Sequence, residues 1–69
     1  MNVTAEVAGK VWKIEAQAGT LLAADDPILV LESMKMEIPV VAPGAGRLLE
    51  LRVREGDAVH EGDVVAVIG

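Results

Sequence analysis

Ala42-Pro43-Gly44-Ala45-Gly46-Arg47-Leu48-Leu49-Glu50-Leu51 opens the second half of the chain, and Ala5-Glu6-Val7-Ala8-Gly9-Lys10-Val11-Trp12-Lys13-Ile14 opens the first half in the same order. A shift of 37 residues lays one half on the other without a gap. Ala5, Ala8, Gly9, Gly19, Asp26 and Val30 then meet Ala42, Ala45, Gly46, Gly56, Asp63 and Val67. Between them like meets like: Lys10 with Arg47, Val11 with Leu48, Leu22 with Val59, Ile28 with Val65, Leu31 with Ile68. Self-similarity in one register is the mark of a duplicated supersecondary unit. The expected architecture is two copies of one unit packed as a pseudo-twofold pair.

Each copy reads as β-structure. Branched aliphatic residues recur along both halves, and these favour strands. Turn signals fall at short intervals, among them Ala18-Gly19, Asp25-Asp26-Pro27, Pro43-Gly44, Glu55-Gly56-Asp57 and Glu61-Gly62-Asp63. No window of helical length carries an apolar stripe. Strands are expected over Val3–Glu6, Lys10–Glu15, Ile28–Glu32, Met36–Val41, Arg47–Val53 and Val64–Ile68, with short pieces at Leu21–Leu22 and Ala58–Val59. Many short strands in a chain of 69 residues predict an all-β sandwich or flattened barrel, one domain over 1–69.

Composition narrows the function. A net charge of −5 argues against nucleic acid, whose phosphates demand basic patches, and against anionic membrane surfaces. Apolar runs such as Ile28–Leu31 are far too short to span a bilayer. The chain has no cysteine, so disulfides and thiolate metal sites are excluded, and a cytoplasmic setting is the expectation. With one histidine and only Thr4, Thr20 and Ser33 as hydroxyl residues, a nucleophile, base and orienting group are hard to assemble. No catalytic residue and no metal site are expected. His60 reads as a surface residue, Trp12 as core or a surface anchor, and the paired aspartates as turn formers.

The segment Leu31-Glu32-Ser33-Met34-Lys35-Met36-Glu37-Ile38 has no counterpart, because Lys35 shifted by 37 falls beyond Gly69. Strands run into and out of Met34-Lys35, which predicts a tight hairpin. Two-residue hairpins prefer Asn-Gly or Asp-Gly, since both central residues need positive φ. A turn that breaks this preference is a place to look for function. In place of a second such hairpin the chain begins and ends, so its termini are expected to lie together, away from Lys35.

Glu32-Ser33-Met34-Lys35-Met36 resembles the biotinylation motif of biotin-dependent carboxylases, in which alanine commonly stands where Ser33 does. Ala42-Pro43, Gly46 and the run Val53-Arg54-Glu55-Gly56-Asp57-Ala58-Val59 extend the likeness to the biotinyl/lipoyl attachment family of the biotin carboxyl carrier type. The resemblance implies a barrel-sandwich hybrid of two four-stranded antiparallel sheets. It implies covalent biotin on Lys35, with Met34 and Met36 flanking it for recognition and Glu32, Ser33 and Glu37 as secondary contacts. It also implies a carrier that is not itself an enzyme, a biotin protein ligase that modifies it, and a biotin carboxylase and carboxyltransferase that it serves. Lipoyl domains share the fold but usually have Asp before the lysine and Ala after it, so a carrier of lipoate, or of both biotin and lipoate, is the lesser alternative. A third possibility is an unmodified barrel serving as an interaction module. The gapless repeat leaves no room for the thumb loop of some bacterial relatives; the full repeat suits a stand-alone protein, an excised domain being the other reading, and a monomer is expected when it is isolated.

Overall fold

A computed structural model describes all 69 residues. Eight strands and no helix make up the chain: β1 (Asn2–Thr4), β2 (Gly9–Ile14), β3 (Leu21–Leu22), β4 (Pro27–Ser33), β5 (Met36–Val41), β6 (Gly46–Leu51), β7 (Ala58–Val59) and β8 (Val64–Ile68). They form two antiparallel sheets of four, ordered β1-β8-β6-β3 and β5-β4-β2-β7. No helix is long and apolar enough to cross a membrane.

The sequence repeat reappears rung by rung. The shift of 37 carries β2 to β6, β4 to β8, β3 to β7, and β1 to β5, so it exchanges the two sheets. Val11 pairs with Leu31 and Ile14 with Leu29; their counterparts Leu48 and Leu51 pair with Ile68 and Ala66. The ladder slips between Val11 and Lys13, and again between Leu48 and Glu50. At those bulges Trp12 and Leu49 are pushed onto the outer faces, both exposed. Each sheet draws strands from both halves, so the copies interlock.

The core follows the same pairing. Val3 and Val40, Ala5 and Ala42, Val11 and Leu48, Leu22 and Val59, Ile28 and Val65, and Leu31 and Ile68 are buried between the sheets, with no polar side chain among them. Alternation along each strand puts these residues on the inner faces, and charged residues face water. Burial of such side chains is the main favourable term for so short a chain.

The turns repeat as well. Asp26 Oδ2 accepts the Ala23 backbone N–H at 2.9 Å, and Asp63 Oδ2 accepts that of His60 at 2.8 Å. Asp25 has φ 71° where its counterpart Gly62 has φ 92°. The first half thus makes the same left-handed turn as the second with a residue that tolerates it less well than glycine. The connections have equal length in both halves, so no thumb loop is inserted.

Strand limits differ from expectation at two ends. β1 stops at Thr4 rather than Glu6, because the Ala5 N–H leaves the sheet to bond the Asp63 carbonyl. β6 stops at Leu51 rather than Val53, because the Arg52 N–H bonds the Val65 carbonyl past the end of the regular ladder. The remaining elements lie within a residue of the sequence reading.

Candidate functional site

β4 and β5 pair from Pro27–Val41 up to Ser33–Met36, which leaves Met34 and Lys35 as a two-residue turn. Met34 has φ 52° and Lys35 φ 65°. Two successive left-handed residues define a type I′ turn, whose twist matches that of the flanking strands. Neither residue is one that favours this conformation. The hairpin is held from below by Leu31, which is wholly buried opposite the half-buried Ile38.

Beyond that rung the side chains leave the core. Met34 is 92% exposed and Met36 63%. Two large apolar side chains in water beside one lysine are an unfavourable surface for a free protein and a suitable one for a partner. Lys35 is exposed and enters none of the ion pairs of the chain, which join Lys13 to Glu15, Arg52 to Glu50 and His60 to Asp63. Its amine is thus open to an acylating group, with no wall around it and no competing carboxylate holding it.

The secondary residues named from sequence cluster at this tip. Ser33 is half-buried opposite Met36, and Glu32 stands opposite Glu37 with both exposed. On the other side of β4, Lys10 of β2 is the partner of Glu32. His60 is far along the chain in an exposed turn, and the structure brings no group of His, Asp and Glu into a metal-binding cluster. A shallow groove of about 80 Å³, lined in part by Thr4, Val7, Ile38 and Val41, lies beside β5 and is too small for a deep substrate pocket. Sequence reasoning marked Gly9 as the counterpart of Gly46 but gave it no place at the tip; its backbone runs against Glu32 directly behind the turn.

Comparison with known proteins gives one family. The model of the family described as "Biotin-requiring enzyme" matches residues 3–68. The Biotin/lipoyl attachment protein of Bacillus subtilis is 45% identical over 65 residues, covering 94% of this chain and 89% of that protein. A Biotinylated protein TB7.3 homolog of Mycobacterium leprae is 40% identical, covering 97% of this chain and 94% of its own length. Among solved structures, the urea carboxylase of Kluyveromyces lactis superposes with a TM-score of 0.96 at 35% identity, covering the whole of this chain but 6% of that one. Both the fold and the sequence are therefore those of the biotin/lipoyl attachment family, to which this chain belongs.

Proposed function

We propose that residues 1–69 form a biotin carboxyl carrier domain and that Lys35 is the residue that takes the biotin. The observation that carries this reading is an exposed, unpaired lysine on a type I′ turn between two exposed methionines. In the attachment step Lys35 Nζ gives up a proton and attacks the acyl carbon of an activated biotinyl donor. A C–N bond forms as the donor's leaving group departs with its electron pair. A lysine amine attacks only in its neutral form, so a biotin protein ligase must supply both an activated donor and a base. Once attached, biotin supplies a ureido ring that carries a carboxyl group from a biotin carboxylase to a carboxyltransferase.

The chain's own part is presentation. The paired strands hold the lysine clear of the barrel, and tethering raises the local concentration of the group at each partner site. Met34 and Met36 give partners an adaptable apolar grip. The chain performs no chemistry beyond offering the amine, which its lack of a nucleophile–base pair supports. A cytoplasmic location suits these partners. The relatives include long carboxylases of which this chain spans only 4–6%, among them urea amidolyase and pyruvate carboxylase, so the acceptor of the carboxyl group differs between relatives.

Intact mass after incubation with a biotin protein ligase, ATP and biotin tests the reading. One added biotin, mapped to Lys35 and absent from Lys35→Arg, is the expected result. Labelling that survives the substitution overturns the assignment of Lys35. A mass gain with lipoate and a lipoate ligase alone would favour the lipoyl reading, and no gain with either would favour an unmodified barrel.

A further inference from the structure

We propose that Gly9 is a positioning residue for the Lys35 hairpin, a role that rests on the attachment reading above. Gly9 opens β2 and pairs with Val59 of β7 on one side. On its other side a Cβ would stand 2.7 Å from the carbonyl oxygen of Glu32 and 3.4 Å from the Ser33 Cβ. The obstacle is main chain, which cannot rotate aside as the end of a long side chain can. Glu32 is the last residue of β4 that pairs with β2, opposite Lys10, and Ser33 is the last that pairs with β5, opposite Met36. Met34 and Lys35 follow at once. The missing side chain lets β2 lie flush against the final rungs of the hairpin, so that the turn leaves the barrel from a strand braced on both sides. Any side chain at position 9 displaces the backbone two residues before the modified lysine's turn begins to close.

The duplicated fold contains its own control. Gly46 is the counterpart of Gly9 and has the same kind of close contact: a Cβ there would stand 2.6 Å from Ile68 Cγ2 and 2.9 Å from the Gly69 carbonyl oxygen. Gly46 braces β8, a strand that does not lead into the Lys35 turn. A substitution at either glycine strains the barrel in a related way, but only one of them strains the Lys35 hairpin.

The experiment compares Gly9→Ala and Gly46→Ala in the full chain. Both are expected to lower Tm. Gly9→Ala is expected to raise the KM of biotin protein ligase for the domain by about tenfold or more, while Gly46→Ala stays within about twofold of wild type. A second readout needs no biotin: the methyl resonances of Met34 and Met36 shift in Gly9→Ala and stay in place in Gly46→Ala. Equal effects of the two substitutions on ligase KM and on the methyl spectra overturn the proposal. So does a Gly9→Ala chain that fails to fold under conditions where Gly46→Ala folds, since Gly9 would then serve the barrel as a whole. Absence of biotin on Lys35 in the wild-type chain would overturn the attachment reading instead, and the methyl comparison would still decide what Gly9 does.

Discussion

Glu32 on β4 and Glu37 on β5 stand directly opposite each other on the second rung behind the turn that carries Lys35. Like charges in that position repel, and neither carboxylate enters an ion pair. Lys10 faces Glu32 across the other ladder, so Glu37 is the member without a cross-strand cation. Glu37→Gln is expected to stabilise the domain by roughly 0.2–1 kcal/mol in urea unfolding at low salt. The gain should shrink in 1 M salt, where the screening length falls to about 3 Å. A loss of stability would show that Glu37 has a favourable partner in solution.

The turn itself stores strain that a conventional sequence would remove. Replacing Met34-Lys35 by Asn-Gly supplies two residues suited to positive φ. The doubly substituted chain is expected to gain about 1 kcal/mol or more, measured by chemical denaturation, and to lose all acceptance of biotin at the tip. A less stable variant would mean that the Met34 and Lys35 side chains contribute packing that their exposure hides.

Asp26 and Asp63 cap equivalent turns through equivalent hydrogen bonds. Each single Asp→Ala substitution should cost about 1 kcal/mol. The two lie in different halves and share no bond, so the double substitution should cost about the sum, within roughly 0.5 kcal/mol. Thermal unfolding of the four proteins checks this, and marked non-additivity would mean that the two turns communicate through the core.

Leu31 is wholly buried beneath the hairpin, and Leu31→Ala should cost about 2–5 kcal/mol. In a barrel of this size that is a large share of the total stability. Circular dichroism at 37 °C should show a substantial unfolded fraction, whereas Leu31→Ile, which keeps the volume, should remain folded.

Most of the architecture was legible because it is written twice. Ile28 and Val65, or Leu31 and Ile68, each vouch for the other's inward direction, so the core and the order of strands could be read from the repeat. Strand ends were less legible: the departure of the Ala5 and Arg52 N–H groups from their ladders depends on where Asp63 and Val65 lie in space. The tip was legible as a turn that breaks the usual preference, and the motif around Lys35 gave it a chemistry. Gly9 was legible as the counterpart of Gly46, but not as a neighbour of the tip, because a glycine at a strand start carries no local sign of what it packs against. Its meaning lies in a carbonyl oxygen more than twenty positions away in sequence.

The joined ends of the chain have a consequence of their own. The Met1 ammonium bonds the Ile68 carbonyl at 2.6 Å, and β1 pairs with β8 in the sheet that lacks the lysine turn. Any polypeptide continuing from either end therefore departs from one shared seam, in the sheet that does not carry Lys35. The same body recurs among its relatives both as a small protein and as one part of a large one. The matches to it occupy 89% of one small relative and only 6% of a large one.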